Sequence, residues 1–209
     1  MAGRREKDGP VLLVHGYWDT WYMPWWKLLK EHLVDLGYDE GRVHILRMSE
    51  VPFKKVGSIK EYAEVVRDGV ERAYDDAGEV TVIGHSMGGL DSRWYIEIMG
   101  GEDYVDSLVT LSTPHRGTYT TYLTHFTKGG RQMTPHSDFI DRLNEDGLAP
   151  SVDYTAMWSS IDPAVFPKRN ARLPSIGPSD NTRNIKAGAY LHLEMIWKRA
   201  VFNKYKHLL

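Results

Sequence analysis

The chain contains no cysteine. That excludes disulfides, thiol catalysis and cysteine-ligated zinc, and with them disulfide scaffolds and zinc fingers. It also has no apolar run near the ~18 residues that a membrane span requires, and Val11–Val14 is typical of its longest. Charge of one sign is not in excess. With 26 Lys and Arg against 28 Asp and Glu, the molecule as a whole is no polyanion trap. No HExxH pattern and no acidic cluster with calcium-loop spacing occurs, so no metal site is expected. Met1 to Pro10 carries positive charge but no apolar h-region, so it does not read as a signal peptide.

What remains is the composition of a globular protein, 42% hydrophobic and 26% charged. At 209 residues it suits a single domain spanning 1–209, able to bury roughly 70% of its unfolded surface. Charge is unevenly spread: from Pro163 onward, nine Lys and Arg face only Asp180 and Glu194. Solvated faces explain this better than a nucleic-acid or anionic-lipid surface, and Lys204, Lys206 and His207 suit a helix C-terminus.

Strand and helix signals alternate along the chain. Val11–Val14 reads as a buried strand, followed by a helix over Trp25–Leu36 that Gly37 ends, then a strand over Val43–Met48. Ser58 to Ala77 is the clearest helix. Ser58 and Glu61 form a capping-box pair, apolar residues recur at three and four, and Gly78 closes it. Val80–Ile83, Val105–Leu111, Tyr154–Trp158 and Asn184–Ala189 read as strands, and Gly88–Met99 as a helix. A last helix is expected to place Leu193, Ile196, Trp197, Ala200 and Val201 on one side. This alternation predicts an α/β fold with a mostly parallel, doubly wound sheet of about six strands and helices on both faces. Residues 113–151 break the rhythm, with Phe139–Leu143 the one convincing helix. A connection this long is expected to line or cover a site.

Gly84-His85-Ser86-Met87-Gly88 is a G-x-S-x-G motif. Alone it is weak, since chance gives about one per fifteen chains of this length. Its setting between the strand Val80–Ile83 and the following helix is the one a nucleophile elbow requires. Gly84 and Gly88 remove side chains where the sharp turn has no room, and Gly89 lets the helix approach the strand. A serine hydroxyl needs an adjacent base. Among nine histidines, His192 fits best: it follows the final strand by a short loop, and elbow hydrolases carry their triad in the order Ser, acid, His. His85 reads as a structural polar residue, and His115, His125 and His136 precede any suitable acid. Asp162, just past the strand Tyr154–Trp158, is the expected acid, which would hold the imidazole tautomer. Asp180 is the runner-up, and Asp153 falls at the wrong strand end. Oxyanion donors are expected from the backbone N–H groups of Met87 and Tyr17, with Gly16 letting the chain turn inward and His15 bracing the loop.

Pro10-Val-Leu-Leu-Val-His-Gly16, Gly84-His-Ser-Met-Gly-Gly89, Leu111-Ser-Thr-Pro-His-Arg-Gly117 and Ser160-Ile-Asp-Pro163 together resemble the small bacterial triacylglycerol lipases (lipase class 2) of the α/β-hydrolase superfamily. The resemblance runs from about Pro10 to His192. It implies a minimal α/β-hydrolase sheet lacking the superfamily's first two strands, and carboxylester hydrolysis without a cofactor. It also implies secretion, which would hold if a leader has been trimmed. A cytoplasmic location is the expectation if the sequence is complete as written.

Behind the oxyanion loop crowd Trp18, Trp21, Tyr22, Met23, Trp25 and Trp26. Trp25 is expected to pack inward with Leu28, Leu29 and Leu33. Trp18, Trp21 and Tyr22, with Met133, Phe126 and Tyr122 from the 113–151 stretch, are candidates for an acyl-binding wall or a lipid-facing patch. The expected function is a serine esterase or lipase acting on an ester or lipid substrate, polyesters included, with no nucleic-acid partner. An acyltransferase using the same triad, or a non-catalytic binding module on this fold, are the alternatives.

Overall fold

The computed structural model describes residues 9–48, 57–174 and 181–209. Asp180 lies outside the described residues. Six strands form one sheet in the order β2-β1-β3-β4-β5-β6: β1 (Val11–Val14), β2 (Val43–Ile45), β3 (Val80–His85), β4 (Val105–Leu111), β5 (Asp153–Ser159) and β6 (Thr182–Gly188). Every ladder is parallel. β1 therefore lies between the two strands that come after it in the chain, and the order reverses there. That reversal opens a crevice at the carboxyl ends of β1 and β3, where open α/β sheets bind their ligands.

The continuous apolar runs of the inner strands arise because both sheet faces are covered. Leu12, Val14, Val82 and Leu108 pack with Val66 and Val70 of α2 (Ile59–Ala77) and Leu90 of α3 (Met87–Ile98). Their neighbours Val11, Leu13, Ile83 and Val109 point the other way, against α1 (Pro24–Leu36) and the C-terminal segment. Proline opens α1, where its missing N–H leaves no broken bond, and Gly37 ends it at φ 110°. The residues α1 buries are Trp26, Leu29, His32 and Leu33, while Leu28 is exposed and Trp25 only partly covered. Leu29 and Leu33 thus pack as expected and Trp25 reaches the same cluster in part, but Trp26 takes the fully buried place and Leu28 faces outward. Asp19 sets the phase: Oδ2 accepts the indole N–H groups of both Trp25 (3.2 Å) and Trp26 (2.9 Å).

Two further expectations are corrected. The strand expected over Val43–Met48 stops at Ile45, although the Leu46 N–H still reaches the Leu13 carbonyl at 2.9 Å. The single terminal helix is two, α6 (Glu194–Trp197) and α7 (Arg199–Tyr205), broken where Lys198 takes an extended ψ of 116°. The break lets Met195 and Ile196, then Val201, Phe202 and Tyr205, all reach the core. One straight helix could not turn both sets to the same side, and Leu193 and Ala200 are left exposed.

Between β4 and β5 the long connection holds a 3-10 turn (Tyr119–Thr124), α4 (Lys128–Gln132) and α5 (Asp138–Leu143). Side chains fasten it to the body. The Gln132 amide oxygen accepts the Ile59 N–H at 2.7 Å and its NH2 donates to the Ser58 hydroxyl at 3.1 Å, so α4 caps α2. At its far end, buried Arg93 on α3 forms a bidentate pair with Glu97 (2.8 Å and 2.8 Å) and donates to the Asn144 amide oxygen at 3.1 Å and the Leu143 carbonyl at 3.3 Å.

Candidate active site

β3 runs straight into α3 through Ser86, which sits at φ 53° and ψ −124°. That conformation costs a non-glycine residue about 1–3 kcal/mol and persists only where its surroundings enforce it. Here they do. The Ser86 N–H is tied to the Leu111 carbonyl at 2.9 Å. A methyl on Gly84 would lie 2.8 Å from the Gly89 backbone, and one on Gly88 only 2.3 Å from the Val14 carbonyl oxygen. One on Gly89 would lie 2.1 Å from the Thr113 hydroxyl. The glycines of the motif are thus demanded by contact, and they let α3 sit directly against the ends of β1 and β3.

The turn after β1 closes on the elbow from the side. A methyl on Gly16 would come within 2.8 Å of Ser86 Cβ. His15 is wholly buried, and its Nδ1–H donates to the Gly16 carbonyl at 3.3 Å, which braces this turn. Tyr17 and Met87 come directly after Gly16 and Ser86. Among the described residues, neither of their N–H groups is bonded to a backbone carbonyl outside the regular elements.

His192 reaches the same crevice from the loop after β6. Its Nδ1 stands 2.8 Å from Asp162 Oδ2, and the second carboxylate oxygen accepts the Ala164 N–H at 2.8 Å. Lys168 Nζ donates to the Asp162 carbonyl, which fixes the backbone of that loop. Burial of Asp162 raises its pKa, and the hydrogen bond and positive charge offered by His192 are the largest of the influences that together outweigh it. Ser112 helps from close by, without full hydrogen-bond geometry, as does the Ala164 N–H, and the carboxyl titrates below its usual value. His85 holds the backbone of the facing residue: its Nε2 donates to the His192 carbonyl at 3.1 Å, and the two rings lie 4.5 Å apart.

Ser86 and His192 line one cleft of about 180 Å³, together with Tyr17, Trp18 and Met133. Pro114, Thr118, Thr120, Thr121, Thr124, Ala164 and Val165 complete its walls. Of the aromatic residues expected to contact substrate, Trp18 lines the cleft and stacks on Tyr17 at 5.3 Å between ring centres. Trp21 and Tyr22 do not line it; Trp21 lies beneath the Arg47 guanidinium, 4.4 Å from its carbon. Tyr122 and Phe126 also stay out of the wall, 64% and 75% exposed on the outer surface of the connection. The threonine walls were missed, although the density of threonine in 113–134 was a signal. Their hydroxyls turn to the protein: Thr118 and Thr120 both donate to the Ala164 carbonyl, at 3.0 Å and 2.6 Å.

Of the other histidines, His115 is wholly buried. Its Nδ1 accepts from Arg93 at 3.4 Å and its Nε2 faces the Thr110 hydroxyl at 2.9 Å. Burial first, and then the charges of Arg93 and Arg116, push its pKa well below 6.5. His125, His136 and His207 are exposed. Among the described residues, no group of three or more acidic or histidine side chains is arranged to hold a metal ion, and no helix is long and apolar enough to cross a membrane.

The fold recurs in solved lipases. Mature Bacillus licheniformis lipase BlEst2 superposes with a TM-score of 0.75 at 16% identity, over 100% of this chain and 94% of that one. Aspergillus fumigatus lipase B gives a TM-score of 0.74 at 19% identity, covering 96% of this chain. The present chain spans only 54% of that lipase's length. A lipase-esterase related protein from Clostridium acetobutylicum aligns over 98% of this chain with a TM-score of 0.63 and 14% identity. At such identities the likeness is one of fold, the α/β-hydrolase architecture. The family model described as palmitoyl protein thioesterase matches residues 10–168, a span that includes the elbow and Asp162. This match reaches the lipase and esterase group of α/β-hydrolases without singling out the small bacterial triacylglycerol lipases. The chain belongs to the palmitoyl protein thioesterase family.

Proposed function

We propose that this protein is a serine carboxylester hydrolase in which Ser86 is the nucleophile, His192 the general base and acid, and Asp162 the residue that orients His192. The observation that carries this reading is the meeting, in one cleft, of a strained elbow serine and a histidine bonded to a buried carboxylate at 2.8 Å. With its Nδ1–H donated to Asp162, the imidazole is left with a bare Nε2, the acceptor a base needs. Nε2 takes the Ser86 proton as Oγ attacks the acyl carbonyl. The N–H groups of Tyr17 and Met87 stabilise the oxyanion. The imidazolium then protonates the leaving alcohol as the acyl-enzyme forms. Water, deprotonated by the same nitrogen, releases the acid and restores Ser86.

The substrate reading is an acyl ester presented at a lipid–water interface. The 3-10 turn that lends Thr120, Thr121 and Thr124 to the cleft carries Tyr122 and Leu123 outward, Leu123 at 84% exposure, with Phe126 and Phe166 also exposed. Membership of a thioesterase family supports a second reading, in which the leaving group is a thiol and the acyl-enzyme steps are the same. Hydrolysis of p-nitrophenyl esters from acetate to palmitate, and of a palmitoyl thioester, by the wild type and Ser86→Ala tests both. Activity abolished in the variant supports the serine mechanism, and the preferred leaving group separates ester from thioester. Wild-type rates in Ser86→Ala would refute it.

A further inference from the structure

The Tyr17 side chain extends into the long connection. Its hydroxyl lies 2.8 Å from the Thr127 hydroxyl. Proton accounting gives that bond a direction. Thr127 Oγ1 has one hydrogen, which it donates to the Thr124 carbonyl at 2.9 Å, and it accepts the Gly130 N–H at 3.0 Å as the cap of α4. Only a lone pair is left, so Tyr17 is the donor. Next to this bond, α4 lies against both residues expected to offer oxyanion donors. A methyl on Gly129 would lie 3.0 Å from the Met87 sulfur and 3.7 Å from the Tyr17 ring. α4 is itself anchored twice to α2, through Gln132 and through Lys128 with Glu61 at 2.9 Å.

We propose that Thr127 is a positioning residue for catalysis: by accepting a hydrogen bond from the Tyr17 hydroxyl, it fixes the Tyr17 backbone N–H where the oxyanion develops. The inference rests on the serine mechanism proposed above. Tyr17 sits in a short turn next to Trp18, whose own φ is 55°, and Gly16 tolerates no side chain against Ser86. A turn under such constraint needs a tether on its side chain, and the Thr127 hydroxyl is buried and already aligned by α4. Catalysis would then depend on a residue that touches neither substrate nor triad. The connection that walls the cleft would also set the rate of the chemical step.

The test compares Tyr17→Phe, Thr127→Val, Thr127→Ser and Ser86→Ala on p-nitrophenyl butyrate. It measures kcat and KM, and the inhibition constant of a trifluoromethyl ketone that mimics the tetrahedral adduct. Tyr17→Phe and Thr127→Val are each expected to lower kcat by about tenfold, less than the roughly 10²–10³ of deleting a donor outright. KM should change by less than about twofold, and inhibitor affinity should fall in parallel with kcat. Thr127→Ser keeps the hydroxyl and should restore both. The double variant should be no worse than either single one. Tyr17→Phe leaves the α4 cap intact, so it tests the tether even if Thr127→Val folds poorly. Wild-type kcat in Tyr17→Phe, or a loss in Thr127→Val that Thr127→Ser does not restore, would overturn the proposal. Full activity in Ser86→Ala would instead overturn the serine mechanism, whatever Thr127 does.

Discussion

Replacing Asp162 by asparagine changes one atom in a nearly isosteric side chain, and the geometry around it dictates the result. One carboxylate oxygen accepts the Ala164 N–H at 2.8 Å, so that position must stay an oxygen. The amide NH2 therefore takes the other place, opposite His192 Nδ1 at 2.8 Å. Two donors cannot face each other there, so the ring moves its proton to Nε2 and offers Nδ1 as an acceptor. The nitrogen needed as a base is then blocked by its own hydrogen. A triad held in the wrong tautomer loses about 10⁴ in kcat, equivalent to about 5 kcal/mol of transition-state stabilisation. KM should change little, because no substrate contact is removed. The assay is hydrolysis of p-nitrophenyl butyrate at about pH 7–8 by wild type and Asp162→Asn, with circular dichroism to establish that the variant is folded. A folded Asp162→Asn within about tenfold of wild-type kcat would refute the reasoning.

Three further outcomes are expected. His115 is held neutral in the fold and titrates normally once unfolded, so the unfolded chain binds the extra proton below pH 6.5. Stability should therefore fall as pH drops from about 6.5, by up to about 1.4 kcal/mol per pH unit for this one group. Urea midpoints of wild type and His115→Gln from about pH 7.5 to 5 check this: the variant should show the shallower slope, and parallel curves would contradict it. Gly88→Ala places a methyl 2.3 Å from the Val14 carbonyl oxygen and should cost about 3 kcal/mol or prevent folding, read from thermal melts; a melting temperature unchanged from wild type would contradict the close packing of α3. Leu123→Ser with Phe126→Ser alters two exposed side chains, so stability should hold. Rates on emulsified triglyceride should fall several-fold while those on soluble esters stay constant, and equal effects on both would remove the interface from the substrate reading.

Much of the candidate site was legible because the proposed chemistry constrains residue type at fixed spacing. A bend as tight as that at Ser86 requires glycine on both sides, and the strand before it needs apolar residues on both faces, so Val80 to Gly89 is readable at a glance. His192 and Asp162 came from chain order and strand context, and the structure sets them 2.8 Å apart. What could not be read were phases and fastenings. In α1 the inward places of Leu29 and Leu33 were legible, but which tryptophan is fully buried was not, because those at 25 and 26 are equally apolar and Asp19, which orients both indoles, lies upstream of the helix and outside its periodicity. The break at Lys198 carries no proline or glycine to announce it. Arg93 and Glu97, an i, i+4 pair, look like a solvated helix face in sequence yet are buried beneath the long connection. The density of threonine in 113–134 was visible but not its role as lining, since these hydroxyls are satisfied by carbonyls up to 48 residues away.

The placement of β1 between β2 and β3 also has a kinetic consequence. Val11–Val14 must find Thr81–Gly84 across a long span of intervening chain, whereas β3 and β4 pair across a much shorter one. Closing the longer loop is entropically slower, so β1 should dock late, and the turn carrying Gly16 and Tyr17 docks with it. In refolding from urea, the far-UV helix signal should return first, and the capacity to hydrolyse an ester should reappear only with the last strand.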